Sequence, residues 1–227
     1  MKKNKFIVTL FILGLLIMVY PYASQFINSK LQERQVEKFH DEKSELNETE
    51  ITEILKNAIE YNQKIYDQQS SFQDPFAEGA NQNEYKKVEK SLVDESMIAS
   101  IEIPVMDLSI PIYLGSSEAS LSRGVGQVEG TSLPVGGKST HTVLAGHRGM
   151  GTKEMFRNLD VLSEGDTFLI HTVNETIKYK VYKTDVVLPH ETDELEVFEG
   201  KDLASLITCH PYRHNSHRLV VYGERIK

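Results

Sequence analysis

The chain has no tryptophan and a single cysteine among 227 residues. One cysteine, Cys209, excludes an internal disulfide, a multi-cysteine zinc site and a cysteine-ligated iron–sulfur cluster. Stability must therefore come from a packed core. Positive charge is also scarce: Lys and Arg number 25 against 33 Asp and Glu, a net charge of −8. Lys2, Lys3 and Lys5 precede the first apolar run, so the remainder is more acidic still, and no electrostatic attraction to nucleic acid is expected. The length suits one full-sized domain with additions, not an array of domains.

What is present divides the chain in four: a tail at 1–5, an apolar run at 6–23, a Glu-, Gln-, Asn- and Lys-rich region at 24–90, and a strand-rich region at 91–227. The apolar run is uncharged and close to the ~20 residues that span a bilayer. A cleaved signal peptide is the alternative. Cleavage after Ala23 would put Pro21 at the minus-three position and Tyr22 beside the cut, which is not the small-residue pattern. The run is read as a single-pass membrane anchor, with the lysines holding the N-terminus inside and the rest outside. In an oxidising setting an unpaired thiol suggests an intermolecular link or a reactive group.

Apolar spacings of three and four at Ile51, Ile54, Leu55, Ala58, Ile59 and Ile65 predict helices over 24–43 and 49–68, with Asn47 or Thr49 as N-cap. They would form an amphipathic stalk or pack on the main domain. From 91 onward, strands are expected at 98–103, 108–113, 140–146, 167–173, 177–188, 206–208 and 218–222, with short helices at 117–121 and 153–162. The fold class is mainly β, an antiparallel sandwich or barrel of seven or eight strands.

Three side chains in this region suit one chemistry. Cys209 ends an apolar strand beside Pro211; His147 leaves an apolar strand between glycines; Arg218 opens the last strand. A thiol of pKa ~8.5 beside an imidazole of ~6.5 forms the thiolate–imidazolium pair in only about 1% of molecules at pH 7. A catalyst using it must be slow or must shift those values. The thiolate would attack an acyl carbonyl and the imidazolium protonate the leaving amine. The guanidinium, which does not deprotonate, would hold substrate and oxyanion. Cys209, His210, His214 and His217 also crowd together in sequence, so a zinc or copper module is a rival. Pro211 interrupts the helix that would align those histidines.

The segments Leu206-Ile-Thr-Cys209, Pro211-Tyr212 and Asn215-Ser-His-Arg218 resemble the signature around the catalytic cysteine and arginine of sortases. Thr142-Val-Leu-Ala-Gly-His147-Arg148-Gly149 resembles their histidine segment. Ile101-Glu-Ile-Pro104, Glu129-Gly-Thr-Ser-Leu-Pro-Val-Gly-Gly137 and Gly223-Glu-Arg-Ile226 are similar to class C, pilin-polymerising sortases. The resemblance implies an eight-stranded β-barrel and a cysteine transpeptidase, whose mechanism calls for no cofactor and no metal. It would cut an LPXTG-like signal on pilins or surface proteins between Thr and Gly, through a thioester on Cys209. His147 would be the acid and base and Arg218 the electrostatic clamp. The accepting amine would be a pilin lysine or, in a housekeeping enzyme, a peptidoglycan precursor. The resemblance also gives Asp74, Pro75 and Phe76, in a lid at about 70–80, a role: the acid facing the arginine and the ring covering the cysteine. His210, Arg213 and His214 stand where the family usually has other residues, and are expected at the active-site rim. Class C members commonly carry a second membrane segment; this sequence ends at Lys227, from which single anchoring is expected.

Overall fold

The computed structural model describes residues 2–68, 74–76, 97–149, 152–191 and 193–227. The expected boundary at 90/91 and most of the 70–80 lid lie outside them.

Helix α1 (Lys2–Glu45) is continuous through Pro21, so the apolar run and the helix expected at 24–43 are one element. Ser24 Oγ donates to the Pro21 carbonyl at 3.0 Å, while the carbonyl that proline deprives of its helical N–H is that of Ile17, one turn back. Residues 6–20 are exposed, whereas Val36 and Phe39 are buried against Met97, Tyr113 and Val173. Helix α2 (Glu48–Gln68) starts at a reciprocal cap. Asn47 Oδ1 accepts from the backbone of Thr49 and Glu50, each at 3.0 Å, and the Asn47 N–H donates to Glu50 at 2.9 Å. Ala58, Tyr61 and Ile65 of α2 pack with Leu114 and Leu133. Beyond the apolar run both helices thus lie on the main domain.

Eight strands close into a barrel: β1 (Met97–Ile103), β2 (Leu108–Tyr113), β3 (Val125–Gln127), β4 (Thr140–Ala145), β5 (Thr167–His171), β6 (Thr176–Val187), β7 (Asp202–His210) and β8 (His217–Ile226), in the order β1-β2-β3-β4-β7-β8-β6-β5. Pairing is antiparallel except for β2 with β3 and β4 with β7. Strand β3 was not expected, being only three residues long. Helix α3 (Glu118–Arg123) follows β2, with Ser117 as its N-cap.

The helix expected at 153–162 is instead a series of turns ending in a 3-10 turn, Leu159–Val161. Its apolar residues do have helical spacing, and Met155, Phe156, Leu159 and Leu162 are all buried. Met155, however, takes a φ of 46°, which an α-helix cannot continue through.

Strands β1, β4, β6 and β7 run one way and the other four run back. One barrel end therefore collects the β1–β2 turn, the exit of β4, the Leu159–Val161 turn and the β7–β8 loop. Leu144, Leu206, Leu219 and Val221 face the interior with Ile101, Ile110 and Phe168.

Candidate active site

Alternation along a strand decides what shares a face. With Leu144 and Leu206 inside, Val143, Ala145 and Ile207 face outward, joined by Val220 and Tyr222 of β8. Together with Leu121, Val128 and Leu195 they make a second buried apolar cluster, on the barrel's outer side. The three candidate residues continue this outward set. Cys209 is two beyond Ile207, Arg218 two before Val220, and His147 two beyond Ala145.

The register then brings them together. Cys209 and Arg218 are direct cross-strand partners, and Ala145 pairs with Ile207. Gly146 donates to the Ile207 carbonyl at 3.1 Å, and Phe156 N–H to the His147 carbonyl at 3.0 Å, fixing the strand exit that carries His147. Gly146 is required there: a Cβ would stand 2.7 Å from the Phe156 ring.

Cys209 is 9% exposed. Burial pushes its thiol pKa up; Arg218 pulls it down, Asp74 pushes it up and Arg148 pulls it down. The imidazole Nε2 of His147 lies 3.7 Å from Glu118 Oε1, within ion-pair range but too long for a hydrogen bond. Sequence reasoning missed Glu118, an exposed residue at the start of a short helix whose nearness to His147 is purely tertiary.

Asp74 and Phe76 close over the site. Arg218 Nε and Nη2 donate to the two Asp74 oxygens at 2.9 and 2.6 Å, and Nη1 to the carbonyls of Asn215 and His217, each at 3.0 Å. Burial works to lower the Arg218 pKa, and the Asp74 carboxylate more than offsets it. Pro75 is buried. The Phe76 ring packs on this outer apolar cluster, with its centroid 6.4 Å from that of His147 and 5.1 Å from the Arg218 guanidinium carbon. It thus wedges between the histidine and the arginine.

The three expected rim residues separate. His210 ends β7, and its Nδ1 accepts from Arg148 Nη1 at 3.2 Å; Arg148 also pairs with Asp160 at 3.0 Å. Burial first, then Arg148, lowers the His210 pKa. Arg213 and His214 lie exposed in the β7–β8 loop. Among the described residues, no three His, Cys, Asp or Glu side chains are grouped to hold a metal.

A second residue that the sequence did not single out is His141, fully buried near the start of β4, on the face that leads to His147. Its Nδ1 meets the Glu196 carbonyl and its Nε2 the Ser205 hydroxyl, both at 2.8 Å. Burial lowers its pKa to about 4, so the ring is neutral, donating to the carbonyl and accepting from the hydroxyl. Its even spacing from His147 along the chain was a usable sign that the two share a face.

A sequence model of the Sortase domain matches residues 101–226. Sortase A of Bacillus anthracis is 28% identical over 221 residues, covering 96% of this chain and 92% of the relative. Among solved structures, sortase C-1 of Streptococcus pneumoniae superposes with a TM-score of 0.79 at 37% identity, covering 86% of this chain and 98% of that one. Sortase C1 of GBS pilus island 1 gives 0.78 at 38% identity, covering 86% and 92%.

Proposed function

Because this chain belongs to the sortase family, with the matched domain spanning more than half of it, we propose that it is a membrane-anchored, pilin-polymerising cysteine transpeptidase built on Cys209, His147 and Arg218. The observation that carries this reading is the direct pairing of Cys209 with Arg218 under a carboxylate that occupies the arginine's fork. The identity to sortase C structures and their pilus association support the pilin role.

The chemistry follows from the geometry. The Cys209 thiolate attacks the carbonyl carbon of the Thr–Gly bond in an LPXTG-like signal, and the carbonyl oxygen becomes an oxyanion. Arg218 donates to that oxygen. Protonated His147 gives its proton to the glycine nitrogen as the C–N bond breaks, leaving a thioester on Cys209. Neutral His147 then takes a proton from the incoming amine, whose nitrogen attacks the thioester carbon. An amide forms and Cys209 leaves as thiolate.

Asp74 stands in the way of the first step. With Nε and Nη2 on Asp74 and Nη1 on loop carbonyls, Arg218 has little donor capacity left for a substrate carbonyl. Asp74 also raises the thiol pKa. The closed arrangement is a resting state, and Asp74, Pro75 and Phe76 must withdraw before peptide enters. Lys2, Lys3 and Lys5 hold the N-terminus inside and place the barrel outside.

The test is product formation with two acceptors, a pilin bearing its lysine and a peptidoglycan-precursor amine. The second tests the housekeeping alternative, which draws on the full-length similarity to Bacillus anthracis sortase A. The expected result is an isopeptide-linked pilin ladder. It should be absent with Cys209→Ala and at least ~100-fold slower with Arg218→Lys, which lacks the planar fork. Ladder formation by Cys209→Ala would overturn the mechanism. Transfer to the precursor amine alone would overturn the pilin role.

A further inference from the structure

The way α1 meets the barrel contains a statement about orientation. Lys43 near its C-terminus donates to the Thr172 carbonyl, just past β5, at the barrel end opposite Cys209. Gln32 reaches the Arg123 carbonyl at 2.9 Å and Asn28 the Thr152 carbonyl at 3.0 Å, in the connection that follows His147. From Lys43 to Asn28 the helix rises about 22 Å at ~1.5 Å per residue, running along the barrel wall. Continued toward its N-terminus, α1 leaves the barrel at the catalytic end.

It leaves without a spacer. The apolar run ends at Ala23, while Ser24 and Gln25 are already partly shielded by protein and Asn28 is hydrogen-bonded to the barrel connection. A headgroup layer is only about 5–7 Å deep on each side of the hydrocarbon, the rise of four or five helical residues. The catalytic end and the membrane surface therefore meet.

That end exposes apolar side chains on three separate connections. Val105 in the β1–β2 turn is 51% exposed, Val161 in the following 3-10 turn 48%, and Tyr212 in the β7–β8 loop 44%. Tyrosine favours the headgroup level, and the Arg213 guanidinium carbon lies 5.4 Å from the Tyr212 ring centroid, with a charge that can reach lipid phosphates. The same end also carries Asp107, Glu154 and Asp160. Two of these, with Glu33 and Gln32, line a cleft of about 490 Å³ beside α1 that contains neither Cys209 nor His147. Arg148, Lys153, Arg157 and Arg213 stand at the same end, so both signs of charge are present there and the apolar side chains distinguish it.

We propose that the catalytic end of the barrel is seated on the phospholipid headgroup layer through Val105, Val161 and Tyr212. The proposal rests on the reading of α1 as an uncleaved anchor. It requires the scissile peptide and the accepting amine to be presented to Cys209 at membrane level.

The absence of tryptophan makes the test direct. The full chain carrying Tyr212→Trp is reconstituted into phospholipid vesicles brominated high on the acyl chains. A second protein carries Phe198→Trp, at an exposed site leading into β7 at the opposite end. The Tyr212→Trp protein is expected to lose most of its emission and shift to shorter wavelength, at low and high salt alike, while the Phe198→Trp protein keeps its emission. Equal emission from the two in protein that floats with the vesicles would overturn the seat and leave the anchor standing. Failure to float would overturn the anchor and the seat with it.

Discussion

Cys209 and Arg218 face each other because two strands pair in a register that puts both on the outer face, and their chemistry is then set by which charge lies nearest. Burial opposes the thiolate, Arg218 favours it, and Asp74 opposes it again. The types of these residues were legible in the sequence, each ending or opening an apolar strand. Their mutual geometry was not: it depends on the register across the β7–β8 loop, and His147 joins them only through the pairing of β4 with the distant β7. His141 shows the same limit: its partners, Glu196 and Ser205, lie 55 and 64 positions away. It also carries a prediction. The unfolded chain binds a proton at this histidine below about pH 6.5, and the folded chain does not until about pH 4. Stability is full above 6.5 and is lost as pH falls, by roughly 3 kcal/mol at pH 4. The stability difference between the native protein and His141→Gln, measured by urea unfolding, should therefore shrink from pH 7 to pH 4. A difference constant over that range would contradict the buried neutral ring.

The lid and α1 are elements whose sequence says little about where they rest. Asp-Pro-Phe is a common turn tripeptide, and only the resemblance gave it a role. The structure places its acid on Arg218 and its ring between Arg218 and His147. Removing the acid removes two charge-assisted hydrogen bonds. Asp74→Ala should raise the rate of Cys209 alkylation in the free enzyme by roughly 10- to 100-fold, through wider access and a lower thiol pKa, and Phe76→Ala should add to the access part alone. An unchanged rate in the double variant would mean that these residues do not guard the thiol. For α1, the sequence marked an apolar run followed by an amphipathic stretch, yet not that they form one helix. Hydrophobic periodicity carries no information on continuity through Pro21.

At the scale of the whole molecule, strand content and barrel class were readable from alternation and turn residues. The closed order was not, because β3 is too short to register and two of the pairings are parallel. The turn at 153–162 imitated a helix, since burying four apolar residues needs only their spacing and not a helical backbone. The molecule that results is a barrel with its reactive edge at the end where α1 departs. Its central claim is that Cys209 carries the acyl group between donor and acceptor. The most direct measurement is the mass of the full chain, kept in a membrane mimic, after mixing with an LPXTG-type peptide in the absence of any amine. A single acyl adduct on Cys209, discharged by hydroxylamine and larger in yield for Asp74→Ala, is the predicted result. An adduct that survives in Cys209→Ala, or none in a folded Asp74→Ala protein, would contradict the account.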